Sequence, residues 1–416
     1  MLVKDDALVT VSGNDNFLKV SGNSIKISDP LGVPGFPNKP TTLEFPVQDS
    51  PVLQPVNIPA GTNKQFLVTV YVPADAAAGI YQGTISLNIG GTNIGNMTLK
   101  VEALPITLSN EGFTGSLYST STLASVGTIS GDEKNAVQYA AELKNLKNHG
   151  VNPYCKQPLS SLTSVLDLRE AAGINNQPLY YGGLTISSYG MDLGSLTSAV
   201  AGLVASASSY GIPQVYVYGR DEQDMNNPDN RAQIAAVHAA GAKVFCAQSP
   251  DKAAGIVDVL DLAIVYGDPD TNLSSLYHSY GHKIYSYAAP QGGDLKADVN
   301  RRNYGIKAGK AGYDGSMVWA YQSCTSLQNI WNDFAGPATY VFAYPTVNGV
   351  IDTNAWEGYR EAFEDVRYVK TLQARIAKNP SLPAAIAATN YLQNLDWGKN
   401  LDTVRSEVIA YILQLP

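Results

Sequence analysis

The chain has little charge and no long apolar segment. Of its 416 residues, 15% are Asp, Glu, Lys or Arg, and the formal net charge is −8, with no cluster of Lys and Arg. Nucleic acid is therefore not an expected partner, because surfaces that bind it are basic. No apolar run approaches the roughly 18 residues that a transmembrane helix needs, so no membrane span is predicted. Low charge and tyrosine-rich strands favour an exported protein, extracellular or periplasmic, whose signal peptide has been removed, and a cytoplasmic location is the alternative.

Cysteine and histidine are also scarce. The three widely spaced cysteines, Cys155, Cys246 and Cys324, indicate neither a disulfide framework nor a zinc site, and we expect them to be buried. No histidine stands at the end of a predicted strand. The histidines, all expected to be structural, are His149, His238, His278 and His282. A Ser–His–Asp hydrolase and a zinc hydrolase are poorly supported, and no metal or organic cofactor is expected.

Tyrosine, by contrast, is abundant, with 25 residues, and its apolar ring and hydroxyl suit both sheets and sugar-binding clefts. Residues 1–108 consist of short alternating runs such as "KQFLVTVYV" and "GTISLNI", separated by Gly, Pro, Asn and Asp. This pattern predicts an N-terminal β-sandwich. We expect a (β/α)8 catalytic barrel over residues 109–378 and a C-terminal helical extension, packed on the barrel, over residues 379–416.

The barrel is predicted from a regular alternation of strands and amphipathic helices. The predicted strands are 113–120, 151–155, 178–183, 214–219, 243–248, 262–267, 283–289 and 315–322. Eight strands with seven helical segments between them fit a TIM barrel. A doubly wound open sheet is the alternative, but no Gly-rich phosphate loop follows the first strand. A further strand over 339–345 and helices over 354–378 and 382–413 complete the expected order.

The carboxyl ends of the strands hold the catalytic residues in such barrels. The side chains predicted there are mostly carboxylates and aromatics: Asp221 and Glu222 after the fourth strand, Asp268 after the sixth, Tyr287 in the seventh, and Trp319 and Tyr321 in the eighth. This combination is typical of enzymes that cleave glycosidic bonds, so a carbohydrate is the expected substrate.

Three mechanisms of glycosidic cleavage are weighed against this set. A retaining enzyme commonly has a nucleophilic carboxylate after the seventh strand, but the first acid there is Asp294, well into the loop. An inverting enzyme would use Asp268 as its base, about 6.5–9.5 Å from the acid. A substrate-assisted enzyme uses the 2-acetamido oxygen of an N-acetylhexosamine as nucleophile, with one carboxylate orienting the amide and another protonating the leaving oxygen. The adjacent Asp221 and Glu222 suit this third mechanism.

Three stretches resemble glycoside hydrolase family 123. From residue 337 the chain reads "PATYVFAYPTVNGVIDTNAWEGYREAFEDVRY", which is similar to the C-terminal signature of that family. The stretch "VYVPADAAAGIYQGTISLNI" resembles the sandwich that precedes its barrel, and "LKNHGVN" resembles the end of its first helix and the start of its second strand. The resemblance covers nearly the whole chain, and its C-terminal motif is the most specific part.

The resemblance implies a retaining β-N-acetylgalactosaminidase that works by substrate assistance. Asp221 would then orient the acetamido group and Glu222 would be the general acid/base. Trp319 would form a wall against the sugar, and Tyr321 would donate a hydrogen bond to the acetamido oxygen, with a place in the barrel core as the alternative for both.

Two positions of the C-terminal motif leave more than one interpretation open. Arg360 and Glu361 match its Arg-Glu pair and either bind sugar hydroxyls or form an ion pair at the start of a helix. Ala362 stands where the family usually has Gly, so the close approach of that helix is expected to change. The competing functions are a glycosidase of other specificity, inverting with Asp268 as base, and an inactive carbohydrate-binding barrel.

Overall fold

The computed structural model describes residues 17–20, 23–26, 57–63, 66, 68–73, 75–109, 112–125, 132–186, 192–292, 296–323, 330, 340–346, 349–396 and 398–416. The strands in this part of the chain are β1 (Phe17–Val20), β2 (Asn23–Lys26), β3 (Gly79–Ile89), β4 (Thr92–Ala103), β5 (Thr114–Leu117), β6 (Thr122–Leu123), β7 (Glu133–Lys134), β8 (Val151–Cys155), β9 (Leu179–Thr185), β10 (Val215–Tyr218), β11 (Lys243–Gln248), β12 (Leu262–Tyr266), β13 (Lys283–Tyr287), β14 (Gly315–Val318), β15 (Ala343–Pro345) and β16 (Val350–Asp352).

The helices of the described residues follow the barrel strands in turn. They are α1 (Ala136–Asn148), α2 (Leu162–Ala172), α3 (Leu193–Ser209), α4 (Pro228–Ala239), α5 (Pro250–Gly255), α6 (Thr271–Ser279), α7 (Ala297–Arg301), α8 (Ala308–Lys310), α9 (Asn354–Lys378), α10 (Pro383–Gln393) and α11 (Leu401–Leu413). A π-helical segment, Arg302–Lys307, joins α7 to α8. Several helices begin at side-chain caps, such as Asn135, which accepts a hydrogen bond from the backbone N–H of Gln138.

Eight parallel strands close the barrel, in the order β10, β11, β12, β13, β14, β5, β8 and β9. The predicted barrel is confirmed, with one strand of the barrel in each of the eight predicted segments. The strands β10, β12 and β13 are rich in Val, Ile and Tyr, and β10 is buried along its whole length. They form buried strands because β-branched and aromatic side chains pack well on a pleated surface that is covered on both faces.

Helix α9 takes the place of the eighth barrel helix and runs antiparallel to the strands. The Tyr359 hydroxyl donates to the carbonyl of Ser116 at 2.8 Å, and Phe363, one turn later, lies against the start of β5 at Gly115. The backbone still approaches closely at Ala362, but here the partner segment supplies the glycine. A Cβ on Gly305 would lie only 2.5 Å from the Ala362 carbonyl oxygen. A glycine on the π-helical segment thus allows α9 to sit against it.

The C-terminal helices pack on α9, but the predicted helix 382–413 is two helices. The first, α10, ends at Gln393 with Asn394 as its C-cap. Asn400 is the N-cap of α11 and accepts hydrogen bonds from the backbone N–H groups of Asp402 and Thr403 at 3.0 and 3.1 Å. Asparagine at both positions explains the break, because its side chain competes for backbone hydrogen bonds and favours caps over helix interiors.

The N-terminal region is described as two antiparallel hairpins, β1–β2 and β3–β4, each a separate two-stranded sheet. A sandwich requires two sheets packed face to face. Most of residues 1–56 lie outside the described residues, so the β-sandwich and the boundaries at 108 and 378 stay predictions. Within the described residues, no helix is long and apolar enough to cross a membrane.

Candidate functional site

The barrel interior is filled by aromatic rings in two layers. The lower layer is built around Tyr180, Tyr216 and Phe245, and the Tyr180 hydroxyl lies 2.9 Å from that of Tyr285. The chain places these rings inside because alternate residues of a strand face the same side, so Tyr216 and Tyr218 of β10, and Tyr285 and Tyr287 of β13, all point inward. Much of the unusual tyrosine content is thus used as barrel core.

The upper layer forms the floor of the barrel mouth, by which we mean the opening at the carboxyl ends of the strands. Tyr118 stands at its centre, and its ring centroid lies 5.3 Å from that of Tyr154, 5.7 Å from Tyr218 and 6.0 Å from both Tyr287 and Trp319. These rings come from β8, β10, β13 and the segment after β14. Tyr118 and Tyr218 were not predicted as site residues, although they lie two residues and one residue before the ends of predicted strands.

Asp221 and Glu222 lie at the rim of this mouth, three and four residues after the end of β10, and both are exposed. The Tyr218 hydroxyl donates to Oδ1 of Asp221 at 2.5 Å, which ties the carboxylate to the aromatic floor. The chain can turn sharply after β10 because Gly219 has no side chain: a Cβ there would lie 2.9 Å from the sulfur of Met225. The predicted carboxylate pair is therefore at the carboxyl face of the barrel.

Glu222 adopts a left-handed backbone conformation, with φ of 52°. Its N–H donates to the carbonyl of Ala247 at 3.0 Å, and its own carbonyl accepts from Nζ of Lys252 at 2.7 Å. Among the described residues, the two non-glycine residues with positive φ are Glu222 and Ala288, and both follow the carboxyl end of a barrel strand. Such conformations cost about 1–3 kcal/mol each and occur preferentially at functional sites.

The phenols beneath the carboxylates are held in their neutral, proton-donating form. Burial raises the pKa of Tyr287 to about 12, and the negative charges of Glu222 and Asp221 add to the rise although a hydrogen bond from Gln291 opposes it. Burial likewise raises the pKa of Tyr154, with the Asp221 charge contributing. Asp221 thus acts on phenols of two different strands and Glu222 acts on Tyr287, so both carboxylates lie close to the aromatic floor.

Several buried polar atoms around the mouth have no hydrogen-bond partner among the described residues. They include Nε of Arg220, Oε1 of Gln248 and Oε1 of Gln291, which follow or end β10, β11 and β13. Buried polar groups are nearly always paired in folded proteins, so each unpaired one calls for a partner such as a ligand or water. A polar ligand with both donors and acceptors would satisfy groups of this kind.

Two of the predicted aromatic residues lie at the mouth and one does not. Trp319 is half-buried beside Tyr118, and Tyr287 belongs to the floor. Tyr321, by contrast, is buried on the outer side of the barrel against Trp356, and its hydroxyl donates to Oδ1 of Asn145 at 3.0 Å. The structure thus places Tyr321 in the core between the barrel and α9, which was the alternative to its predicted contact with substrate.

Asp268 points away from the mouth. Its side chain is 82% exposed, and its carboxylate pairs with Nζ of Lys307, in the π-helical segment outside the barrel, at 2.6 Å. The structure does not bring Asp268 together with the Asp221–Glu222 pair.

Arg360 and Glu361 lie on α9, at the opposite end of the barrel. Arg360 borders a polar groove beside Phe113 and Val151, which precede or begin barrel strands. Its guanidinium pairs with Glu357 at 2.9 Å and with Glu361 at 2.8 Å. The ion-pair interpretation is the one that the structure supports, and these two residues are not near the predicted catalytic pair.

Comparisons with known proteins identify no relative. No family model matches the chain, and no curated protein matches it. Solved structures that resemble it include Rhizobium etli pyruvate carboxylase (TM-score 0.33, 13% identity, 73% of this chain and 34% of that one). Others are a Bacillus anthracis dihydrodipicolinate synthase (TM-score 0.32, 12% identity, 74% and 99%) and a Thermobaculum terrenum O-GlcNAc hydrolase (TM-score 0.33, 9% identity, 72% and 75%). These matches are too distant to assign an activity to this chain.

Proposed function

We propose that the chain is a glycoside hydrolase that removes a β-linked N-acetylhexosamine, with N-acetylgalactosamine as the first candidate, and that it belongs with glycoside hydrolase family 123. The reaction retains configuration and passes through an oxazoline intermediate. The observation that carries the proposal is the position of Asp221 and Glu222, exposed and adjacent at the rim of the barrel mouth, with the buried phenols beneath them.

The two carboxylates have separate roles. Oδ1 of Asp221 accepts from Tyr218, which leaves Oδ2 to accept from the acetamido N–H of the sugar and to stabilise the positive charge that develops there. The acetamido oxygen attacks the anomeric carbon, and the carboxyl group of Glu222 protonates the departing glycosidic oxygen. Glu222, now a carboxylate, then takes a proton from the water that opens the oxazoline, so the enzyme returns to its starting state.

The aromatic residues position the sugar in this proposal. Tyr287 accepts a hydrogen bond from Gln291 at 3.1 Å, and its raised pKa keeps its own proton available for the acetamido oxygen. It takes the role that the sequence analysis gave to Tyr321. Trp319, half-buried beside Tyr118, offers an apolar face to the sugar ring.

The inverting alternative has less support. Asp268 is exposed and paired with Lys307 outside the barrel, whereas an inverting base faces the sugar across the scissile bond.

A retaining mechanism with a protein nucleophile also has little support. The seventh strand, β13, ends at Tyr287, and the four residues after it are Ala288, Ala289, Pro290 and Gln291, none of which can act as a nucleophilic carboxylate.

The test is hydrolysis of matched aryl β-glycosides: N-acetylgalactosaminide, N-acetylglucosaminide, galactoside and glucoside. We expect cleavage only of the 2-acetamido sugars, inhibition by a thiazoline mimic of the oxazoline, and a loss of kcat of about 10²–10⁴-fold in Asp221→Asn and Glu222→Gln. Asp268→Asn is the matched control and should keep the wild-type rate. Cleavage of galactoside or glucoside at a similar rate, or a large loss in Asp268→Asn alone, would refute substrate assistance by Asp221 and Glu222.

A further inference from the structure

A second cluster of ionisable side chains lies outside the barrel, between α1 and α9, remote from the mouth. It consists of His149, Asp352 and Glu357, which we call the His149 cluster, and all three are buried. His149 follows α1, Asp352 ends β16, and Glu357 lies in the first turn of α9. The cluster therefore connects the first and last helices of the barrel.

Each member of the cluster uses one polar atom in a hydrogen bond and turns another toward a common point. Nδ1 of His149 lies 2.9 Å from the carbonyl oxygen of Asn145 and donates to it, so Nε2 is the ring nitrogen that faces the carboxylates. Oδ1 of Asp352 accepts from Asn145 at 2.7 Å, and Oε2 of Glu357 accepts from Arg360 at 2.9 Å. Outer hydrogen bonds of this kind fix the ligands of metal ions in proteins.

The inner atoms are spaced for an ion rather than for one another. Nε2 of His149 lies 3.8 Å from Oδ2 of Asp352 and 3.8 Å from Oε1 of Glu357, which is too long for a hydrogen bond. Neither Nε2 of His149 nor Oε1 of Glu357 has a hydrogen-bond partner among the described residues. One ligand atom from each of the three residues lies within 4.8 Å of the other two. The point equidistant from them is at most roughly 2.5 Å from each, near the bond lengths of divalent cations.

The negative charges of the two buried carboxylates also favour a cation at this point. Asp352 has His149 as its one ion-pair partner among the described residues, and the Arg360 that pairs with Glu357 is shared with Glu361 and Glu364. Two buried carboxylates this close to one another repel and are costly to bury without a compensating charge. A metal ion at the common point would remove both costs.

We propose that the His149 cluster binds one divalent transition-metal ion, Zn²⁺ or Mn²⁺, through Nε2 of His149, Oδ2 of Asp352 and Oε1 of Glu357. One imidazole nitrogen with two carboxylate oxygens suits ions of this class, whereas Ca²⁺ prefers oxygen ligands alone. The ion ties α1 to α9 and stabilises barrel closure. The role is structural and does not depend on the proposed glycosidase activity.

The experiment measures metal content and thermal stability of the intact protein after removal of metal with a chelator. On adding Zn²⁺ or Mn²⁺ we expect about one bound equivalent and a rise in Tm of about 3 °C or more, with no such response to Ca²⁺. Glu357→Gln, which keeps the shape of the side chain, should lose most of the bound metal and of the Tm rise. His278→Gln is the control, because His278 is a half-exposed histidine paired with Asp314 at 3.0 Å.

The wild-type measurement decides the matter even where a variant fails to fold. A wild-type protein that binds neither Zn²⁺ nor Mn²⁺, with no change in Tm, would overturn the proposal. So would a folded Glu357→Gln protein that binds the metal as well as His278→Gln does, because the ion would then be held elsewhere. A response to Ca²⁺ equal to that with Zn²⁺ would overturn the assignment of a transition metal.

Discussion

The aromatic floor of the barrel mouth depends on a glycine in the neighbouring strand. A Cβ on Gly182 would lie 1.5 Å from the hydroxyl oxygen of Tyr154, 2.1 Å from Cζ and 2.8 Å from Cε2. Ordinary carbon contacts are about 3.5–4.0 Å, so the substitution Gly182→Ala requires the end of the Tyr154 ring to move by about 2 Å. The ring has little room for this, because the rings of Tyr118 and Phe245 pack against it, with centroid distances of 5.3 and 6.2 Å.

We expect Gly182→Ala to lower the free energy of unfolding by about 2–4 kcal/mol, which combines the cost of overpacking with that of a displaced aromatic ring. It should also reduce any glycosidase activity, because the floor under Asp221 would be disturbed. The matched control is Gly202→Ala in α3, where a Cβ would meet nothing within 4 Å. That variant should be as stable as the wild type or more stable by about 1 kcal/mol.

Urea denaturation of both variants, followed by circular dichroism, measures the difference. A double-mutant cycle sharpens the assignment: once Tyr154→Ala has removed the ring, adding Gly182→Ala should cost almost nothing further. If Gly182→Ala is as stable as Gly202→Ala, or if its cost persists in the Tyr154→Ala background, then contact with Tyr154 is not what requires glycine here.

Three further predictions concern single residues. Glu222→Gly should raise the free energy of unfolding by about 1 kcal/mol, because glycine adopts the left-handed conformation without strain, whereas Glu222→Gln should not. Both variants should lose most of their kcat, and equal denaturation midpoints for the two would contradict the assignment of strain. Tyr321→Phe should lower the free energy of unfolding by about 1 kcal/mol, because the hydrogen bond to Asn145 is lost, and should leave kcat unchanged. A large loss of kcat would instead indicate that Tyr321 contacts the substrate. Burial alone would raise the pKa of Asp261, but hydrogen bonds from His238 and the backbone lower it below its usual value. The stability that this carboxylate contributes is therefore present above about pH 4 and is lost as the pH falls through its folded pKa. Asp261→Asn should be less stable than the wild type at pH 7, and the difference in the free energy of unfolding, measured by urea denaturation, should become smaller in acid.

The barrel was predictable from the sequence because its strands are local patterns. Each is a short buried run with turn residues on either side, and the position of Asp221 and Glu222 after the fourth run follows directly from that pattern. The aromatic floor was not predictable in the same way. Tyr118 and Tyr154 meet Tyr218 only when strands far apart in the chain close into a barrel.

The position of Tyr321 shows where the alternation of side chains along a strand no longer predicts which way a side chain faces. The alternation that would put Trp319 and Tyr321 on the same face holds only inside a strand, and β14 ends at Val318, earlier than predicted. Beyond that residue the backbone turns, and the two aromatic side chains go to opposite sides of the barrel wall. A strand end that is wrong by a few residues therefore changes the role of every side chain that follows it.

Two of the three stretches that resemble a known family, including the most specific one, meet at the His149 cluster rather than at the barrel mouth. "LKNHGVN" supplies His149, and "GVIDTNAWEGYRE" supplies Asp352 and Glu357 together with Trp356, whose ring stacks on His149 at 4.4 Å. Residues in this pattern specify how the last helix closes onto the first, so they report the architecture of the barrel and not its chemistry. The glycosidase proposal therefore depends on Asp221 and Glu222 themselves, and the metal proposal depends on the segments that first suggested the family.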